Sequence, residues 1–177
     1  MNSLLYVGVD DSNNGKKPLI VAAHFSLNPA DIIFKRRDVT GGNHKRLREK
    51  YPYSRMCNEF FTTPNYRFIV DEEGMLGENG KHLIFATSHL INSFLADNPK
   101  NFDFLKIFLD GPIKKEDQQF IKREISIESK VEGVHKKGDE FKYPEICIIA
   151  DSLTHTLFAY PGLRNSPSIQ RRRVYLP

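Results

Sequence analysis

Three aspartates stand where an acid serves chemistry more readily than packing. Asp10 closes the apolar run LLYVGVD, Asp110 closes FLKIFLD, and Asp151 follows the apolar stretch ICIIA in a segment of helical spacing. A carboxylate ending a buried strand is costly to desolvate unpaired, so both strand-end acids must reach water, a cation or a donor. Asp151 lies about 100° round its helix from Ala150, which places it at the border of the buried face. His155 at i+4 stacks on the same helical face, and Cys147 precedes Asp151 by the same interval. Acids converging from separate elements suit a hard divalent cation such as Mg²⁺ or Mn²⁺, which takes one or two carboxylates and fills its shell with water and phosphate oxygens. Two such ions about 3.5–4 Å apart activate a water on one side and stabilise the leaving oxygen on the other, which is phosphodiester chemistry. Each acid also has an ordinary role open to it: Asp10 as a turn cap, Asp110 in the turn LDGP, Asp151 as a half-exposed helix residue.

The elements that must position these acids follow from periodicity and punctuation. Leu4–Asp10 and Pro18–Ser26 read as strands, and the short polar turn between them predicts an antiparallel hairpin. Asp31–Asp38 reads as a third, shorter strand, followed by a basic stretch that spacing assigns to a loop with a short helix. Tyr66–Val70 reads as a further strand. His82–Ala96 has the apolar spacing of a helix lying on a sheet and stops at DNP. Phe104–Asp110 is a strand closed by Gly111 and Pro112, Lys114–Ser126 a charged helix, and Lys130–His135 a further strand. Pro144 opens a helix carrying Ile146, Ile149, Ala150, Leu153 and Leu157 as far as Pro161. The order is strand, strand, strand, helix, strand, helix, strand, helix, an α/β class.

At 177 residues, with 40% hydrophobic and 27% charged content, the chain is expected to form one compact domain. No apolar run approaches the roughly 18 residues of a membrane span, so no membrane partner is expected. Cys57 and Cys147 stand ninety positions apart, and MNSLLYVGVDDS has no basic start followed by a long apolar core. A cytoplasmic, reducing setting is therefore expected. The net charge of +4 is unevenly spread. Lys35–Arg55 carries eight basic residues against Asp38 and Glu49, and Gly162–Pro177 carries four arginines and no acid, leaving about −6 on the rest of the chain. Basic arms around a more acidic body are the footprint of a polyanion binder, although a solvated loop and tail would show the same charges.

Six histidines invite a zinc reading, but His24, His44, His82, His89, His135 and His155 form no tight cluster with either cysteine. As a nucleophile, Cys147 would need a base, and His155 lies eight residues on, roughly 12 Å along a helix. A buried thiol suits it better. A PIN-type nuclease also opens with a strand ending in Asp, but a helix should follow at once where PLIVAAHFS reads as a strand.

Tyr6–Gly15 (YVGVDDSNNG), Leu109–Gly111 (LDG) and Lys137–Ala150 (KGDEFKYPEICIIA) together resemble the ribonuclease H-like superfamily, nearest in motif to type 2 ribonucleases H. The resemblance implies a ribonuclease H-like domain over residues 1–161 and a basic C-terminal tail over 162–177. It implies a mixed central sheet whose first three strands are antiparallel, with flanking helices. Asp10, Asp11 and Asp110 match the family's carboxylate positions, Asp11 replacing a glutamate. The last acid of the pattern would fall near Phe158, where none stands; Asp151 lies seven residues earlier on nearly the same helical face. Asn13 and Asn14 replace the pattern by which type 2 enzymes recognise a ribonucleotide, and Lys137–Glu140 resembles a loop beside the site or a polar turn.

The resemblance thus implies a metal-dependent nuclease acting on DNA or RNA. Asp10, Asp110 and Asp151 are its expected ligands, Asp11 a fourth acid, and His155 an orienting or proton-shuttling group. Arg36, Arg37, Lys45, Arg46 and Arg171, Arg172 and Arg173 are the expected phosphate contacts. The alternative is a catalytically inactive binding or assembly module that keeps the fold, which the missing acid near Phe158 favours.

Overall fold

The computed structural model describes residues 3–12, 17–37, 51–77, 81–98, 102–134 and 141–177, with the backbone alone at 34–37 and 141–142. Leu4–Asp11 (β1) and Leu19–Ser26 (β2) form the expected antiparallel hairpin, with Gly8 opposite His24 and Asp10 opposite Ala22. The third strand of the antiparallel start is Tyr66–Asp71, because Phe68 pairs with Ala22 of β2.

The expected third strand over Asp31–Asp38 splits instead. Asn28 accepts the Ala30 N–H at 3.0 Å and Pro29 takes a first-turn position, so Pro29–Ile32 winds into a 3₁₀ turn. The following strand Phe34–Arg37 (β3) pairs in a separate two-stranded sheet with Phe141–Pro144. Tyr66–Asp71 is accordingly β4. Between them, Tyr53–Arg55 (α1) is a single helical turn that runs on as a π turn through Met56–Phe60.

Lys81–Asp97 (α2) leads to Phe104–Asp110 (β5), which pairs parallel to β1 with Val9 opposite Leu109. Lys115–Glu124 (α3) leads to Ser129–Val134 (β6), parallel to β5. Phe141–Pro144 is β7, and Glu145–Ala159 (α4) follows it directly. The central sheet runs β4-β2-β1-β5-β6, antiparallel through its first three chain segments and parallel thereafter.

Period-2 alternation decides what each face buries. Leu5, Val7 and Val9 of β1 join Leu105, Ile107 and Leu109 of β5 against Leu83, Leu90 and Ile91 of α2. The opposite face carries Tyr6 and Phe108 against Ile146 and Cys147, and Ile20, Ala22 and Phe68 against Ile149, Leu153 and Leu157, all from α4. Helix α4 is apolar nearly all round because it is sandwiched: the sheet lies on one side, and Tyr51, Met56 and Ile169 lie on others.

Residues of the basic C-terminal segment run along the outer side of β4. Pro161–Arg164 (α5) and Pro167–Gln170 (α6) are short turns, Ile169 is buried, and Phe68 bonds to Arg172 O at 3.2 Å and accepts from Val174 N at 2.8 Å. No helix among the described residues is long and apolar enough to cross a membrane.

Candidate acidic site

Asp10 and Asp110 meet because their strands are parallel and in register. Val9 stands opposite Leu109, so the next residue of each strand also comes side by side, on the face shared with Gly8 and Phe108. Gly111, at φ +92°, turns the chain away immediately after Asp110, and its N–H bonds Val134 O at 2.7 Å.

Helix α4 brings the third acid. Its first turn rests directly on β1 at Gly8, where an added Cβ would lie 2.6 Å from the Ile146 carbonyl carbon and 3.0 Å from the Cys147 nitrogen. Only a residue without a side chain allows this approach, which seats Cys147 over β5 with its thiol donating to Phe108 O at 3.8 Å. Asp151 follows one turn later, half-buried, and acts electrostatically on Asp10.

Like charges gather around Asp10. Asp10 is 8% exposed, and burial pushes its carboxyl well above the usual range. Repulsion from Asp110, Asp151 and Asp11 pushes it further in the same direction. The Asp11 N–H, donating to Asp10 Oδ1 at 2.7 Å, pulls the other way and is outweighed. Cys147 is also pushed up, by burial first and then by Asp10 and Asp110, so its thiol stays protonated and buried. That agrees with a packing role for Cys147.

Asp11 points to the other face. One residue beyond Asp10, it reaches α2, where its Oδ2 lies 2.7 Å from His82 Nε2. Asp11, Asp110, Lys81, His82, Lys114 and Asp117 border a cleft of about 380 Å³ between α2 and the strand ends. Asp151 and His155 border a separate cleft of about 200 Å³ with Tyr51, Tyr53 and Tyr160. The four acids therefore straddle the end of the sheet. Among the described residues, no three His, Cys, Asp or Glu side chains stand grouped to hold a metal ion.

Only part of the basic set falls among the described residues. Arg36 and Arg37 are in β3, with the backbone alone described, and Lys45, Arg46 and the loop Lys137–Glu140 lie outside the described residues. Arg171 is exposed, whereas Arg172 and Arg173 are half-buried and the Arg173 guanidinium lies 4.9 Å from the Tyr175 ring. They flank β4, two strand spacings or roughly 10 Å of sheet from β1.

Sequence reasoning missed the pairing of His82, which it placed at the opening of a helix and weighed only as a zinc ligand. It also missed the buried hydrogen bond from the Tyr51 hydroxyl to Glu145 at the foot of α4. Neither had a usable signal, since each pair joins residues far apart in the chain.

No protein-family model and no curated protein matches the chain. Among solved structures it is similar to the ribonuclease H2 of Pyrococcus horikoshii OT3, at 14% identity and a TM-score of 0.44, over 93% of this chain and 77% of that one. It is also similar to the RNase HII of Archaeoglobus fulgidus in its complex with PCNA, at 12% identity and a TM-score of 0.47, over 94% and 85% of the two chains. The α/β class, the mixed five-stranded sheet and its antiparallel start are those expected of a ribonuclease H-like fold.

Proposed function

We propose that the chain is a divalent-metal-dependent nuclease hydrolysing phosphodiester bonds of nucleic acid, DNA or RNA. One observation carries this reading: Asp10 is buried among Asp110, Asp151 and Asp11 with its charged form penalised by all of them. A cluster that raises the energy of the folded chain has no packing use, and such groups mark functional sites. The donor set is all carboxylate oxygen, which suits Mg²⁺ or Mn²⁺ rather than a softer ion.

Asp10, Asp110 and Asp151 are the residues that would hold the ion. A bound ion would supply charge neutralisation at the scissile phosphate and an activated water. The chain's own residues do the rest. Burial of Asp10 fixes one carboxylate, Gly8 fixes the approach of α4, and His82 holds the Asp11 carboxylate on the α2 side as a fourth acid. His155, one turn beyond Asp151, would orient that carboxylate or carry a proton. Arg36, Arg37, Lys45, Arg46 and Arg171–Arg173 would contact phosphates without reading sequence.

A second reading, a non-catalytic nucleic-acid-binding module, is favoured by the absence of a ready three-ligand group among the described residues. Nuclease assays on single-stranded, duplex and hybrid substrates with Mg²⁺ or Mn²⁺ separate the two. Asp10→Asn should reduce metal-dependent cleavage by on the order of 10³-fold, the scale of losing one charge-stabilising group, while nucleic-acid binding persists. Equal cleavage by both proteins would refute the assignment, and none on any substrate would leave the module.

A further inference from the structure

The cleft beside Asp151 has an aromatic mouth that the acid chemistry does not use. Tyr53 of α1 and Tyr160, immediately after α4, are 43% and 46% exposed, yet their rings lie 4.3 Å apart at 42°. Large exposed side chains among the described residues are few, and these two touch each other while bordering the same cleft as Asp151 and His155. We infer that this cleft takes an unpaired nucleobase of the substrate strand, stacked on the Tyr53–Tyr160 pair; the inference rests on the nucleic-acid reading above.

Charge and shape select that occupant. Asp151 repels a phosphate but not a neutral planar ring, and besides Asp151 and His155 the lining is three tyrosines, Pro52 and small hydroxyl residues. An aromatic platform accepts any base through its face, so it favours single strands without reading sequence. Phosphate retention falls to the rim. Arg55, in the same turn as Tyr53, holds its guanidinium 4.6 Å from the Tyr51 ring and pairs with Glu59 in an exposed i,i+4 pair of little strength.

Spacing tells which base is held. Tyr160 lies nine residues beyond Asp151, roughly 13 Å along the helix direction. The stacked base therefore belongs to a nucleotide flanking the scissile bond. A fully paired duplex hides that base, so the preferred substrate has an unpaired segment on this side of the cut.

The chain contains no tryptophan, so Tyr160→Trp installs a single reporter on the platform. With metal removed by EDTA, a base-bearing single strand should quench its emission, and an abasic strand of equal length and charge should not. The double variant Tyr53→Ala/Tyr160→Ala should bind the base-bearing strand roughly tenfold more weakly and the abasic strand unchanged. Tyr53→Phe/Tyr160→Phe, which keeps the rings, should stay within about twofold of wild type on the same scale, separating stacking from misfolding. Equal affinity for both strands, with no quench, overturns the platform while leaving the nuclease reading intact. Quenching without metal-dependent cleavage supports the platform and removes the nuclease reading, and no binding of any strand overturns both.

Discussion

Asp10 and Asp71 occupy equivalent places and live opposite lives. Strands β1 and β4 are each antiparallel to β2 and so run the same way, and each carries a buried aspartate at its end, 8% and 4% exposed. Burial pushes Asp71 up too, but the N–H groups of Leu76, Met75, Gly74 and Glu73 outweigh it and hold the carboxyl below its usual range. Three of those bonds measure 2.8–2.9 Å, and Gly74, at φ +84°, lets the loop wrap the carboxylate. Asp10 accepts the Asp11 N–H and feels the repulsion of three other acids. At Asp71 the donors of the following loop outweigh burial, whereas at Asp10 burial and the neighbouring acids outweigh the Asp11 N–H.

That contrast can be broken or sharpened by experiment. The largest effect belongs to Asp71→Ala, which strands several N–H groups at about 1–3 kcal/mol each. Unfolding free energy should drop by on the order of 3 kcal/mol or more, read as a lower denaturant midpoint at unchanged m-value. A loss below about 1 kcal/mol, the worth of one ordinary bond, would show that the loop is not built on Asp71.

A pH series comes next. His24, on β2 between the two acid-ended strands, is pushed down to about 4, first by burial. Its folded value lies below its unfolded one near 6.5, so the unfolded chain takes up the proton first. The stabilisation is complete above about pH 6.5 and is lost as pH falls toward 4, up to about 3 kcal/mol. Asp10 acts with opposite sign: its folded value is raised, so the repulsion it contributes at neutral pH is relieved as pH falls through that raised value. Urea titrations from pH 7 to 5 should show falling stability in the wild type and a flatter profile in His24→Gln. Identical slopes would place the titration elsewhere.

Gly8→Ala sets a Cβ against the Ile146 carbonyl and should cost about 1–3 kcal/mol of overpacking. Because α4 must lift, thermal stabilisation by Mg²⁺ should weaken along with basal stability. A variant as stable as wild type, with its Mg²⁺ response intact, would show that α4 is not seated at Gly8.

The smallest shift has the most telling sign. Asp10→Asn removes a buried repelled charge and should raise Tm, by roughly 2–4 °C for each kcal/mol of repulsion released in a chain of this size. It should also abolish any Mg²⁺-induced rise. Loss of stability, as in Asp71→Ala, would mean that Asp10 is itself a structural acid.

Much of the frame was legible along the chain. The runs ending at Asp10 and Asp110, the helix from Lys81 and the helix after Pro144 all announce themselves by period and punctuation, and they form close to where spacing puts them. The acids at strand ends were visible for the same reason. Phe34–Arg37 lies within the stretch read as a third strand, but its sheet was not legible, since four strand-like residues do not say which partner they will pair with, and the partner lies beyond residue 140.

What the amino-acid order determined by itself was local: element types, the apolar faces, Gly111 and Pro112 as the close of a strand, and three acids at the edges of apolar runs. Tertiary structure alone decided that Val9 faces Leu109, which sets Asp10 beside Asp110, and that Gly8 admits α4, which brings Asp151 near enough to act electrostatically on Asp10. It also decided that Asp11, one residue away, turns to His82. Periodicity is a property of neighbours in the chain, while register and helix seating depend on side chains a hundred residues apart finding one packing. The repulsion on Asp10 exists only once that packing has formed.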